Sequence, residues 1–319
     1  MRTSLIIKRY CTFLLIILGL TSSGMSFAAP ANFSSKQAQT EHLELFIKQI
    51  ISVDEYRNFK NTSELNRVSA WLKEQMRLLG IPCQFQNYIV NSLSYRNVVC
   101  QLNAKAKTKL VIGAHYDVFS DLYGADNNAS GVAGVLETAR LLALQKSKLK
   151  HNIEFAFYTL EEPPYFKTEH MGSYLHAKAL KAQKKKVKGV IILDSIGYYD
   201  ENLVQTYPTG LKWIYPRHGN FIAAIGHLAS AGLTGDYCTS MQRFKRLDCQ
   251  RFVSPAFAQD MNFSGYLNYA KFNYSTMLIT DTAHYRNPYY NTEQDTLDKL
   301  DLTKMAQVVN GLVDMVIRL

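Results

Sequence analysis

Two stretches near the start of the chain place apolar residues at helical spacing. The apolar positions of the second stretch recur every three or four residues: Leu65, Val68, Leu72, Met76 and Leu79. Gly80 and Pro82 follow, and this pair is typical of a helix end. The spacing predicts amphipathic helices over residues 38–50 and 63–79.

Later apolar runs are shorter and alternate with helical stretches. Residues 83–103 predict two strands joined near Asn91, and residues 200–262 are less periodic, with one helix predicted near 219–231. The other predicted elements are strands 108–114, 152–160, 188–194 and 273–280 and helices 130–147, 170–183 and 301–318. This alternation predicts an α/β fold, a three-layer αβα sandwich with a largely parallel sheet and an antiparallel hairpin at one edge.

Composition supports a folded domain and excludes a disordered chain. Of 319 residues, 47% are apolar and 19% are charged, and no repeat or low-complexity linker divides them. The formal charge is +10, but the densest basic run, residues 181–188, closes a predicted helix where cations are favourable. A solvent-exposed face is therefore preferred to a nucleic-acid partner, for which no motif is present.

The first 28 residues predict a secretory signal peptide. Arg2, Lys8 and Arg9 precede an apolar run that is too short to cross a bilayer, and small residues follow at the cleavage position. An uncleaved anchor is the alternative. We expect cleavage to leave one mature domain, 29–319, that is periplasmic or secreted and not stably inserted in a membrane.

The cysteines fit an exported protein. Five are present, and Cys11 would leave with the signal peptide. Cys83 and Cys100 could face each other across the predicted hairpin, and Cys238 and Cys249 are the natural second pair, although four cysteines allow three connectivities. None of the four has the neighbours of a catalytic thiolate.

Residues that bind metals stand at the ends of predicted strands. His115, Glu161 and Asp194 each follow an apolar run, and Asp126 lies in the loop that opens a helix. Ligands and chemistry collect at the carboxyl ends of strands in open α/β sheets. Carboxylates and an imidazole at that edge suit a hydrolytic zinc site, with one or two ions.

Two acidic residues could have a role other than direct metal binding. Asp117, two residues after His115, would project on the same side of an extended chain and could hold the second nitrogen of the imidazole. Asp126 could cap the helix after it, but Ser130 already stands at the cap position and leaves Asp126 available to a site.

The adjacent pair Glu161 and Glu162 is the strongest single indication of catalysis. Neighbouring side chains of an extended segment point in different directions, so one carboxylate can bind metal while the other faces the attacking water. A surface pair is the alternative, but Pro163 and Pro164 fix a turn directly after a buried-looking strand. We predict that Glu161 is the general base and then protonates the leaving amine.

Several segments together resemble a known family. They are AHYDV, GADNNASGVAGVLETARLL, TLEEPP, HMGS and ILDSIGYY, and they are similar to the zinc exopeptidase family of bacterial leucyl aminopeptidases. The resemblance runs from about residue 95 to the C-terminus. It implies a mixed eight-stranded sheet flanked by helices, two zinc ions, and removal of N-terminal residues from peptide substrates.

The resemblance also implies roles by position. His115 and Asp194 would bind one zinc, Glu162 would bind the other, and Asp126 would bridge them. Asp117 would orient His115, and Glu161 would be the base.

One position departs from the family pattern. The family motif is a histidine, three residues and then Asp-Thr, and here Asn291 stands where the histidine completes the second zinc site. A neutral amide is a poor zinc ligand, and His284, seven residues earlier, is a candidate substitute. We therefore predict one tightly bound zinc and a second, weaker one.

Two rival functions follow from the same resemblance. Glutaminyl cyclases share the fold and use one zinc, but the late histidine that they keep is missing from this chain. A binding relative with impaired catalysis is the second alternative. The preferred side chain and the oligomeric state are left open by the sequence.

Overall fold

A central sheet of eight strands organises the part of the chain that the computed structural model describes, namely residues 35–51, 55–103, 105–184, 186–208, 211–244, 247–254 and 265–319. The predicted signal peptide and its boundary at residues 28 and 29 lie outside these residues. No helix within them is long and apolar enough to cross a membrane.

The strands and helices have the following bounds. The strands are β1 (Cys83–Val90), β2 (Leu93–Leu102), β3 (Lys109–His115), β4 (Asn152–Tyr158), β5 (Val187–Leu193), β6 (Asp200–Val204), β7 (His218–Gly219), β8 (Phe221–His227), β9 (Asp248–Ser254) and β10 (Thr276–Thr280). The helices are α1 (Thr40–Ile50), α2 (Thr62–Leu78), α3 (Gly131–Leu144), α4 (Gly172–Ala182), α5 (Ala231–Phe244), α6 (Tyr266–Lys271) and α7 (Leu302–Arg318).

The sheet is mixed and largely parallel, as predicted. Its strand order is β1-β2-β4-β3-β5-β10-β8-β9, and β6 pairs separately with β7. The four central strands β4, β3, β5 and β10 run parallel to one another. The β1-β2 hairpin and the β8-β9 pair are joined to this centre by antiparallel pairing, which confirms the predicted antiparallel edge.

Helices cover both faces of the sheet. Helices α1, α3, α5 and α7 pack against one another over one apolar core, whereas α4 and α6 pack together over the other. Every residue of β3 and β4 is buried, which explains their continuous apolar sequence. The carboxyl ends of β3, β4 and β5 therefore meet at one edge, which is the arrangement that positions the site.

One predicted element is wrong. The helix predicted near 219–231 is strand β8, which pairs with β9 and β10 and is buried at all seven positions, and α5 begins only at Ala231. A short apolar run between glycines is compatible with a buried strand or a helix, and periodicity alone does not separate them. The other helices and strands that were predicted end within three residues of their predicted bounds.

Both predicted disulfides are present. Cys83 and Cys100 are directly opposite each other on β1 and β2, and Cys238 of α5 is joined to Cys249 of β9. Each bridge therefore ties an edge strand to its neighbouring element.

Candidate functional site

A cavity of about 210 Å³ opens at the carboxyl ends of the central strands. Its polar lining consists of His115, Glu161, Glu162, Asp194, Thr280, His284 and Asn291, and its apolar lining of Pro163, Phe166, Leu278, Ala283 and Tyr290. Six of the eight predicted site residues thus line one cavity. The other two, Asp117 and Asp126, do not line it.

His115 is the last residue of β3, and its ring is held from both sides. Its Nδ1 lies 3.1 Å from the carbonyl oxygen of Asp117 and 3.4 Å from the carboxylate of the same residue. Its Nε2 lies 3.7 Å from Oδ1 of Asp194, which follows β5. Burial acts to lower the pKa of His115, but the two carboxylates outweigh it and raise that pKa well above its ordinary value.

Asp117 links the exits of β3 and β4. Its Oδ2 accepts the backbone N–H groups of Glu161 at 2.9 Å and of Glu162 at 3.2 Å, while its Oδ1 faces His115. One buried carboxylate thus fixes the imidazole and the backbone of both glutamates, which is how it can orient a metal-binding histidine.

Glu161 is buried, 5% exposed, yet its carboxylate borders the cavity. Oε1 accepts the backbone N–H of Ser173 and Oε2 accepts the Ser173 hydroxyl, both at 2.8 Å. Gly265 covers it closely, since a Cβ there would lie 2.3 Å from Oε2. Burial raises the pKa of Glu161 to about 8, against the lowering effect of the Ser173 bonds.

Glu162 points to a different part of the cavity. It is partly exposed, and its Oε1 accepts a hydrogen bond of 2.7 Å from the side-chain amide of Asn127. Burial raises its pKa to about 7, and nearby His115 opposes that rise. The two glutamates therefore diverge, as predicted for adjacent residues after a strand.

Asp126 does not face the cavity. Its Oδ1 accepts from the backbone N–H of Gly197 at 2.9 Å and from the Ser130 hydroxyl at 3.2 Å, and its Oδ2 accepts from the Asn287 amide at 2.8 Å. Burial and the adjacent carboxylate of Asp281 raise its pKa well above the usual range. This geometry gives no support to the bridging role predicted for Asp126, which stays a prediction.

Asn127 takes the place expected of Asp126. It is 1% exposed, and its Nδ2 donates both to Oε1 of Glu162 at 2.7 Å and to Oδ1 of Asn291 at 2.8 Å. Its Oδ1 is buried and accepts no hydrogen bond from any residue that the structure describes. The side chain in the middle of the predicted second metal site is therefore an amide.

The loop that carries Asn127 is held by two residues that are distant from it in the sequence. Asp295 accepts the backbone N–H of Asp126 at 2.7 Å and of Asn127 at 3.0 Å. Arg57 donates to the carbonyl oxygens of Tyr123 and Gly124. The direction in which Asn127 points is thus set by several long-range hydrogen bonds.

His284 lies at the rim of the cavity. It is exposed, and its ring centroid lies 4.3 Å from that of Tyr285 and 5.9 Å from that of Tyr290. Partial desolvation of the ring lowers its pKa. These contacts are aromatic packing contacts, and the role of substitute ligand stays a prediction.

Two candidate metal donors lie close together, whereas the residues of the predicted second site are joined by hydrogen bonds. Two donors that are each about 2.0 Å from one tetrahedral zinc ion lie roughly 3.3 Å apart, and the 3.7 Å between His115 and Asp194 is close to this separation. Between Glu162 and Asn291 the N–H groups of Asn127 point at the acceptors, where a cation would need lone pairs. Among the described residues, no three His, Cys, Asp or Glu side chains are grouped to hold a metal.

Two chemically different groups of residues lie at the cavity wall and directly behind it. We call His115, Asp117 and Asp194 the imidazole side, and Asn127, Glu162 and Asn291 the amide side.

Three site residues were missed from the sequence: Asn127, Ser173 and Gly265. Ser173 follows Gly172 in the HMGS segment at the start of α4, and this segment was used only for the resemblance. Gly265 carries no sequence signal for its contact with Glu161. Asn127 is adjacent to Asp126 in the sequence, but the direction of its side chain depends on the backbone conformation of the loop.

Comparison with known proteins supports a peptidase fold and family. The sequence profile described as "Peptidase family M28" matches residues 97–316. Over 290 residues the chain is 35% identical to the uncharacterized protein YfbL of Escherichia coli K12, with 88% of each chain covered.

Solved structures with the same fold include enzymes of two activities. The LapA aminopeptidase of Legionella pneumophila has a TM-score of 0.69 at 18% identity, covering 88% of this chain and 71% of LapA. The glutaminyl cyclase of Porphyromonas gingivalis has a TM-score of 0.68 at 17% identity, covering 88% of this chain and 98% of the cyclase. At these identities the likeness shows the fold alone.

Proposed function

The chain belongs to peptidase family M28, and we propose that it is an exported aminopeptidase that works with one tightly held zinc ion. The observation that carries the proposal is the position of Glu161. This buried carboxylate borders the same cavity as a histidine and an aspartate that can share one cation. A general base next to a cation site is the arrangement that metal-assisted peptide hydrolysis needs.

The imidazole side would hold the ion. His115 and Asp194 supply the two protein donors. Asp117 orients His115 through Nδ1. When bound, zinc polarises a carbonyl group and lowers the pKa of water.

Glu161 would move the proton. It accepts a proton from the attacking water and then delivers it to the leaving amine. The two bonds from Ser173 hold both carboxylate oxygens and leave the group facing the cavity. The pKa of Glu161, raised to about 8 by burial, lies near neutrality, where a base can both take and return a proton.

The cavity wall favours an apolar N-terminal side chain. Phe166, Leu278, Ala283 and Tyr290 form its apolar lining, and the cavity of about 210 Å³ is small. Burial of an apolar side chain there is favourable by the ordinary hydrophobic contribution. We therefore expect substrates of the leucine type to be preferred over charged ones.

A second candidate function is peptide binding with little or no hydrolysis. The specific observation in its favour is the amide side, where two asparagines flank Glu162. A glutaminyl-cyclase-like activity is less well supported, because the late histidine expected of those enzymes is replaced by Asn291.

Export is part of the proposal. The predicted signal peptide carries it, and the two disulfides support it, because disulfides persist in oxidising compartments.

The test is hydrolysis of leucine p-nitroanilide by purified protein, before and after removal of metal by a chelator. We expect hydrolysis, its loss on chelation, and its recovery when zinc is returned. Glu161→Gln should lower the rate by about a hundredfold or more and keep bound metal and the melting temperature. Near wild-type turnover of that variant would overturn the assignment of the base, and hydrolysis that survives chelation would overturn the metal.

A further inference from the structure

We propose that the amide side, Asn127, Glu162 and Asn291, binds the N-terminal ammonium group of the substrate at the position where the family pattern places a second zinc ion. The inference rests on the proposed function, because it names the group of the peptide that this part of the same cavity recognises. In this inference, the ammonium group of the substrate occupies the position that was predicted for a second, weakly bound zinc ion.

Hydrogen-bond geometry is the first step. The acceptors on Glu162 and Asn291 converge on one nitrogen, the Nδ2 of Asn127, at 2.7 and 2.8 Å. These are N–H···O distances, and the groups involved suit a nitrogen donor. An ammonium group has three donors and no acceptor, so it can use the second oxygen of Glu162 and a second lone pair of Asn291.

Charge is the second step. The cavity is lined by three carboxylates, from Glu161, Glu162 and Asp194, and no Lys or Arg is among the described residues that line it. A cation that enters from solvent meets carboxylate acceptors, and among the described lining residues only His115 adds a competing positive charge. A hydrogen bond between an ionised donor and a carboxylate is stronger than one between neutral groups.

Ligand chemistry is the third step. Amide oxygens are poor ligands for zinc beside imidazole or carboxylate, yet they are ordinary acceptors for an ammonium group. With two amides and one carboxylate, the amide side discriminates against zinc and accepts a protonated amine.

Rigidity is the fourth step. The backbone of the loop is held by both oxygens of Asp295, and Asn127 is itself buried. The acceptors therefore require little ordering when a ligand arrives, and a preorganised site loses less free energy on binding.

The experiment is a calorimetric titration of metal-free, full-length mature protein with leucinamide and with N-acetyl-leucinamide. The two ligands share the side chain and the amide and differ in the charged amine. We expect leucinamide to bind at least about tenfold more tightly. Glu162→Gln and Asn291→Ala should each reduce leucinamide affinity by about ten- to a hundredfold and leave the weak binding of the acetylated ligand unchanged.

The matched control is Asn103→Ala, which removes an asparagine at the end of β2, where it bonds to Leu149 and His151 near the start of β4. It should leave leucinamide affinity within about threefold of the parent, and circular dichroism melting should show that all variants fold. Equal affinity for the two ligands, or a preference that survives both site substitutions, would overturn the inference.

A second variant tests the exchange of metal for ammonium. Asn127→Asp combined with Asn291→His should bind one more zinc ion per chain than the parent, measured by equilibrium dialysis, and should lose the leucinamide preference in the metal-free state. Two zinc ions held tightly by the parent would contradict the inference.

The outcome is separable from that of the proposed function. Selective leucinamide binding without hydrolysis would leave the ammonium site intact and make the protein a peptide-binding relative. Hydrolysis without selective leucinamide binding would contradict only the inference of an ammonium site.

Discussion

The two sides of the cavity wall lie on the same sheet edge but differ in what they can bind. On the imidazole side, His115 and Asp194 present a nitrogen and an oxygen 3.7 Å apart, supported by the carboxylate of Asp117. On the amide side, Asn127 donates to Glu162 and Asn291. One side thus places an imidazole nitrogen and a carboxylate oxygen close together, and the other has two acceptors joined by a neutral donor.

In the proposed function, the base and the cation-binding groups are separate features of one cavity. Glu161 belongs to neither side, and its support from Ser173 and Asp117 does not depend on the amides. Loss of one metal-binding half is therefore compatible with an intact base. The predictions below change the imidazole side, the proposed base or the cavity rim and leave the amide side as an internal control.

The largest effect is expected for His115→Ala. Removing the only imidazole of the imidazole side should abolish tight zinc binding and lower hydrolysis by roughly a thousandfold, since metal assistance is worth several kcal/mol. Leucinamide binding to the metal-free protein should remain within about threefold of the parent. Dialysis and calorimetry measure the two, and retention of zinc at parent affinity would place the ion elsewhere.

A smaller loss is expected for Asp117→Asn. The amide can still accept the N–H groups of Glu161 and Glu162 through its oxygen, but its NH2 then faces the His115 Nδ1 that needs an acceptor. Substitution of a residue that orients a ligand typically costs about ten- to a hundredfold in metal affinity. Zinc competition with a chromogenic chelator measures this. Unchanged affinity would show that the carbonyl of Asp117 alone orients the ring.

The strand-end residues were predictable from the sequence for a simple reason. His115, Glu161 and Asp194 follow buried strands whose direction is set by parallel pairing, so the apolar pattern alone predicts that they meet. The prediction was wrong at β8 for a different reason. Its apolar run contains no turn residue and no periodicity that distinguishes a strand from a helix.

The amide side could not be predicted because it depends on a loop. Which of Asp126 and Asn127 contacts Glu162 and Asn291 is decided by backbone angles, with Gly124 in the left-handed region at φ 59° and Asn127 at φ −102° and ψ 88°. Those angles are fixed by Asp295, which is 168 residues from Asn127 along the chain. No local rule relates such distant positions, so the more familiar ligand, the carboxylate, was preferred.

A moderate effect on rate, with a change in its pH dependence, is expected for Ser173→Ala. The hydroxyl donates to Glu161 and stabilises its charged form, so its removal raises the pKa of Glu161 further above its value of about 8. A base acts only when deprotonated, so the acid limb of kcat/KM should move to higher pH, with a loss of about tenfold at neutral pH.

Rescue distinguishes positioning from general damage. Ser173→Thr keeps the hydroxyl and should restore the position of the acid limb. Binding of leucinamide should be unchanged in both variants, because the amide side does not contact Ser173 in the described hydrogen bonds. A limb that stays in place in Ser173→Ala would remove this serine from control of the base.

The smallest effect is expected for His284→Ala. Its ring is exposed at the rim and packs against Tyr285 and Tyr290, so its loss should change zinc affinity by less than about threefold. Zinc titration of the parent and the variant, with His115→Ala as the reference for a true ligand, measures the difference. A loss comparable to that of the reference would mean that His284 moves in to complete a metal site, and the division of the cavity into a metal side and an amide side would then have to be abandoned.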